Sequence, residues 1–165
     1  MYKIEDNKII FDYDYNKTTF CEIIENHNLI NETKIDTIYF GEYFNQDISF
    51  LPSYIKKIQF HWQSKFDHQL DFLPKSLTHL KLGPNFNMPL DNLPEGLTHL
   101  ELGPYFNIEL ERLPESLTYL DLGHCFNQAL CKLPDSLINL TIGTHYNHYI
   151  HQLKSIPPNC KIVRK

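Results

Sequence analysis

The chain has 165 residues, enough for one domain, with 42% hydrophobic and 21% charged residues, an ordinary core-forming composition. A net charge of -5 with His neutral argues against non-specific nucleic-acid binding and against docking on an anionic membrane surface, both of which need surplus Lys and Arg. No apolar run approaches the ~20 residues of a membrane helix, and the acidic, polar start Met1-Tyr2-Lys3-Ile4-Glu5-Asp6-Asn7 is unlike a signal peptide.

In chain order, Tyr2-Lys3-Ile4-Glu5 and Lys8-Ile9-Ile10-Phe11-Asp12-Tyr13 flank Asp6-Asn7, which predicts a hairpin. Thr19-Phe20-Cys21-Glu22 has the Ser/Thr-x-x-Glu spacing of a capping box, and Phe20, Ile23, Ile24 and His27 follow at helical spacing. A short helix is expected over about 18–27. Residues 1–34 lack the pattern that follows and read as an N-terminal cap, the element a stacked array needs at an open apolar end.

From residue 35 the chain repeats. Leu-Pro pairs begin at 51, 73, 93, 113 and 133, in steps of 22, 20, 20 and 20. A period of this length is the signature of a solenoid. Six strands are predicted, at 35–40, 55–60, 77–82, 97–102, 117–122 and 137–142, each apolar at its first, fourth and sixth positions. Glycine follows five of them, at Gly41, Gly83, Gly103, Gly123 and Gly143, where a sharp turn out of the sheet is expected. In the second unit His61-Trp62-Gln63-Ser64-Lys65 replaces the glycine and the two residues after it, a net insertion of two residues. It should bulge and expose Trp62, the single tryptophan.

Beyond each turn come the pairs Phe44-Asn45, Phe66-Asp67, Phe86-Asn87, Phe106-Asn107, Phe126-Asn127 and Tyr146-Asn147. Stacking turns the aromatics into one internal column and the amides into another, able to bond neighbouring turn backbones. Asp67 retains only the acceptor half, so that column should be weakest there. Ile48, Leu70, Leu90, Leu110, Leu130 and Ile150 form a third column, and the proline re-enters the next strand. Residues 153–165 close the array, with a short final strand at Cys160-Lys161-Ile162-Val163.

The recurring pattern Leu-Pro-x-Ser-Leu-Thr-His-Leu-x-Leu-Gly-x-x-Phe-Asn-x-x-Leu, clearest from Leu73 to Leu90, resembles the FNIP repeat. That repeat is a short relative of the leucine-rich repeat, found in social amoebae and giant viruses. The resemblance covers residues 35–152 and implies a leucine-rich-repeat-like solenoid. Such a solenoid has a parallel β-sheet on one face and turns, 3₁₀ or coil on the other, with little α-helix beyond the cap. Family members often carry an F-box, which would link them to ubiquitin ligases. The first 34 residues show none, so that role is not carried over.

Between the buried strand positions lie two outward columns. The first is Thr37, Lys57, His79, His99, Tyr119 and Asn139; the second is Tyr39, Gln59, Lys81, Glu101, Asp121 and Thr141. They should form a broad, nearly flat face, basic toward its start and acidic beyond. Solenoid relatives bind partners on this face. Tyr39, Lys57, Gln59, His79, Lys81, His99, Glu101, Tyr119, Asp121 and Asn139 are therefore the expected partner-binding residues, with Trp62 an added contact. A self-associating, homodimeric structural module is the alternative.

Other chemistries find little support. His79 and His99 are neighbours but lack a third metal ligand, and repetition of Thr-His-Leu accounts for both. His145, His148 and His151 have helical spacing in a turn region. Ser76, Ser116 and Ser136 hold one repeat position, as turn-stabilising hydroxyls would. No enzyme activity, cofactor, metal, small-molecule substrate, nucleic acid or membrane is expected. Cys21, Cys125, Cys131 and Cys160 form no CxxC and read as free thiols, which makes the sequons at Asn16, Asn31 and Asn139 incidental. An intracellular location is expected, the host cytoplasm if the chain is viral.

Overall fold

The computed structural model describes residues 2–12, 17–30, 34–130, 132–144, 146 and 156–165, without the side chains of 17, 18, 21 and 27–30. His145, His148, His151, Asn147, Ile150, Cys131 and the sequons at Asn16 and Asn31 therefore fall outside the described residues. The order of elements is β1 (Tyr2–Glu5), β2 (Lys8–Phe11), α1 (Lys17–Ile30), β3 (Thr37–Phe40), β4 (Lys57–Phe60), β5 (His79–Lys81), β6 (His99–Glu101), β7 (Tyr119–Asp121), β8 (Asn139–Ile142) and β9 (Lys161–Arg164). All nine strands form one sheet in sequence order.

The expected hairpin is present, turning at Asp6 with φ 53°, a conformation Asp tolerates because its short side chain bonds locally. It is more than a cap. β2 pairs in parallel with β3, Ile9 beside Ile38 and Phe11 beside Phe40, so it is the first rung of the repeat sheet. The helix runs to Ile30, further than its apolar spacing indicated. Phe20, on α1, stacks at 4.3 Å from Phe11. The same separation recurs inside the coils, 4.2 Å for Phe40–Phe44 and 4.3 Å for Phe60–Phe66. Phe20 thus fills, from a helix, the place the column aromatic takes in a coil.

Within each coil the first, fourth and sixth strand positions are buried. The column aromatics Phe44, Phe66, Phe86, Phe106, Phe126 and Tyr146 are buried as well, with centroid steps of 6.5, 6.1, 6.2, 6.2 and 5.8 Å. The Leu-Pro turn closes on the proline carbonyl, which accepts from the amide three residues on: Leu77 N at 3.0 Å, Leu97 N at 3.0 Å and Leu117 N at 3.1 Å. Only the carbonyl of proline is used there, so its missing N–H costs nothing.

Two details differ from what the sequence led us to expect. The glycines owe their place less to the turn than to the stack. A Cβ on Gly103 would overlap the Gly83 carbonyl oxygen, and among the described glycines only Gly123 has a positive φ, 73°. The amide column lies at the surface rather than inside, and joins coil to coil through its side-chain acceptors. Asn45 Oδ1 accepts from Asp67 N, Asp67 from Asn87 N, Asn87 from Asn107 N and Asn107 from Asn127 N, at 3.3, 3.3, 3.0 and 2.8 Å. A carboxylate can therefore serve, although both contacts of Asp67 are the long ones.

Candidate functional site: the exposed strand face

The outward face of the sheet is built by register. Strand pairing places Thr37, Lys57, His79, His99, Tyr119 and Asn139 in one row, and Tyr39, Gln59, Lys81, Glu101, Asp121 and Thr141 in the next. The hairpin and β9 extend both rows: Lys8 and Lys161 join the first, Ile10 and Val163 the second.

The centre of the first row is a stack of rings. His79 and His99 lie parallel within 10°, and Tyr119 follows 5.7 Å from His99 at 18°. Each ring is held by the threonine before it: Thr78 Oγ1 lies 3.1 Å from the Lys56 carbonyl oxygen and 2.9 Å from His79 Nδ1, and Thr98 Oγ1 lies 3.0 Å from the Thr78 carbonyl oxygen and 2.9 Å from His99 Nδ1. With each Nδ1 so engaged, the parallel rings set their Nε2 atoms side by side and not at a common point, so the pair is poorly shaped for a shared metal. Among the described residues no three His, Cys, Asp or Glu side chains come together as metal ligands. Burial, then His99, then Lys57 hold the pKa of His79 below its ordinary value, which favours the neutral ring.

The second row departs from expectation at its acidic end. Asp121 is buried at 3% exposure, and so are Thr141 and, in the first row, Thr37. Asp121 accepts from Gly123 N at 3.0 Å and pairs with the Lys165 ammonium, so it fastens the C-terminal strand and offers no free charge. Glu101 is paired with Lys81 at 2.7 Å. The expected acidic half is thereby neutralised from within. Lys57 makes no ion pair among the described residues, and Lys8 lies 4.8 Å above the Tyr39 ring. The Tyr39 phenol is pushed up by burial first and by Asp12 next. The open face is therefore basic and aromatic. Gln59, Tyr119 and Asn139 are half-buried in it, as expected of strand residues between core positions.

Trp62 is exposed, at 71%, as the insertion predicted. The insertion closes on itself through Ser64 N to the His61 carbonyl at 2.9 Å, while buried Ser64 takes the place of the missing glycine against Gly83. His61 lies between Tyr39, edge-on at 6.2 Å, and Trp62 at 5.6 Å. Trp62 walls a cleft of about 310 Å³ along the C-terminal ends of the strands, lined also by Lys81, Pro84, Pro104, His124 and Lys165. Sequence reasoning found the tryptophan and Lys81 but missed the cleft. The repeated Gly-Pro pairs at 83–84 and 103–104, next to the insertion, were the available signal.

Cys125 and Cys160 are free thiols, and burial raises the pKa of Cys160. Asn139, the one sequon residue described, lies in β8 as expected. No helix among the described residues is long and apolar enough to cross a membrane.

Known proteins bear on this geometry in two ways. The FNIP Repeat family matches residues 66–92 and 89–125. A solved structure described as that of CroV588, a novel circular LRR protein, from a giant virus, is similar with a TM-score of 0.63 and 37% sequence identity. The likeness covers 88% of this chain and 25% of that one, so the chain spans a quarter of its length. No curated protein matches.

Proposed function

Because this chain is a FNIP-repeat protein with a leucine-rich-repeat-like fold, we propose that it is a protein-interaction module whose exposed strand face grips a protein partner. Repeats of this kind are commonly interaction scaffolds and typically lack catalysis. The supporting observation is the row Lys57–His79–His99–Tyr119. Its rings and charge are not needed to build the coil, whose core lies on the opposite side of the sheet. Exposed aromatics beside an unpaired lysine suit an acidic, ring-bearing surface, because rings give area at low entropic cost and the lysine selects charge. The module acts inside the cell, in the host cytoplasm if the protein is viral. The circular relative suggests an arc of coil presenting one continuous inner surface.

Charge reversal tests this reading. Lys57→Glu with Lys81→Glu should cut capture of the natural partner at least tenfold while leaving the melting curve in place, since both side chains are exposed. Unchanged capture would reject the strand face as the binding surface.

A further inference from the structure

The sheet has two open edges among the described residues, β1 and β9, each four residues long. β1 is the only strand that runs against its neighbours, while β2 to β9 are parallel. Laid beside β9 of a second copy, β1 would therefore pair antiparallel. We propose that copies of this chain join head to tail by that pairing, with Ile4 opposite Ile162.

Independent constraints select this register. The first is side-chain direction. Opposite Ile9 and Phe11, Ile4 and Tyr2 face the core side; Ile162 and Arg164, opposite Leu140 and Ile142, do the same. Pairing Ile4 with Ile162 sets Tyr2 against Arg164 on that side, and Lys3 against Val163 and Glu5 against Lys161 on the other. Both isoleucines are partly buried against their own core, so the joint would continue the apolar interior from one copy to the next.

The second constraint is hydrogen-bond phase. Lys161 N and Lys165 N are spent on the Ile138 and Ile142 carbonyls, at 2.7 and 3.1 Å, so alternation leaves Ile162 and Arg164 presenting their backbone to the open edge. In a two-residue hairpin the pair flanking the turn, here Glu5 and Lys8, is the bonded one. Alternation then leaves Tyr2 and Ile4 facing outward, the same two residues that the register sets opposite Arg164 and Ile162.

The third is charge. The proposed register puts Glu5 opposite Lys161, and the guanidinium of Arg164 against the Tyr2 ring, which is 42% exposed. A slip of two residues either way keeps the faces but sets Lys3 opposite Lys161 or Lys165. Like charges directly opposite are unfavourable, so the slips are disfavoured. The two edges differ, so the contact is heterologous and repeats into a ring or an open chain, not a closed dimer. It leaves the outward strand face free and is independent of the function proposed above.

Sedimentation velocity across a concentration series tests the joint. The wild-type chain should pass from monomer to species larger than a dimer. Glu5→Lys and Lys161→Glu should each weaken association about tenfold. The double swap Glu5→Lys/Lys161→Glu, or an equimolar mixture of the two single variants, should restore it. Both positions are exposed, and circular dichroism melts would confirm that every variant folds. A monomer at all concentrations, a mass that stops at two protomers, or single reversals without effect would overturn the proposal. So would a swap that fails to rescue.

Discussion

Replacing Gly96 with serine should stabilise the protein, and the reason is written in the neighbouring coils. Ser116 Oγ lies 2.6 and 2.7 Å from the Glu95 and Leu97 carbonyl oxygens, and Ser136 Oγ lies at the same distances from those of Glu115 and Leu117, so each hydroxyl's one proton is shared between two acceptors. Ser76 Oγ donates to the Ile55 carbonyl at 2.6 Å. The hydroxyl staples each coil to the one before it. Gly96 holds that repeat position without a hydroxyl. A Cβ there would sit 3.6 Å from the Lys75 carbonyl oxygen and 3.9 Å from that of Leu77, an ordinary contact with the equivalent acceptors. Losing glycine's freedom in the unfolded chain contributes about 0.4–1 kcal/mol, and the new hydrogen bond about 0.5–1.5 kcal/mol. Together these give about 1–2.5 kcal/mol, or roughly 2–10 °C in melting temperature for a domain of this size. Differential scanning calorimetry of Gly96→Ser beside Gly96→Ala separates the parts, because alanine gains only the first. Serine no better than alanine would refute the staple, and either variant melting below wild type would refute the claim of space.

Three further outcomes follow from the same stack. Gly103→Ala forces a methyl into the Gly83 carbonyl; chemical denaturation should find a loss at or above the upper end of the ~1–3 kcal/mol usual for overpacking. In the surface amide ladder Asn87→Asp should be nearly neutral, as Asp67 already serves there, whereas Asn87→Leu strips the acceptor from Asn107 N and should cost about 1 kcal/mol in the same assay. The depressed pKa of His79 means that the unfolded chain takes up its proton first as pH falls. Its contribution is complete above pH ~6.5 and declines as pH drops below that value, until the folded ring protonates too. Stability measured from pH 7.5 to 5 should fall less steeply in His79→Asn than in wild type.

Much of this fold is legible in the sequence because a solenoid writes each structural requirement several times. The apolar triplets at 77–82, 97–102 and 117–122 give the strands and their faces, and register then follows from the fixed 20-residue step. β2 was harder to place as a rung. Lys8-Ile9-Ile10-Phe11 has the right alternation, yet no Leu-Pro pair introduces it and no coil precedes it. The functional face was legible as positions but not as charge. Asp121 looks exposed in the repeat, and the Lys165 that pairs with it comes from outside the repeats. The cleft beside Trp62 likewise joins residues from separate coils to the chain's last residues, a proximity that no local spacing encodes. The glycine column shows a different limit. Sequence offers a turn as the reason for glycine, while the reason found in the stack is the closeness of the coil beside it.

The central claim, that the exposed strand face does the binding, is tested most directly by site-specific photo-crosslinking in the natural host cell. A photoreactive residue at His99 lies in the ring stack, and one at Glu109 lies exposed on the far side of the same coil. The account predicts one discrete crosslinked protein from position 99 and none from position 109. Equal crosslinking from both, or crosslinking from 109 alone, would contradict it.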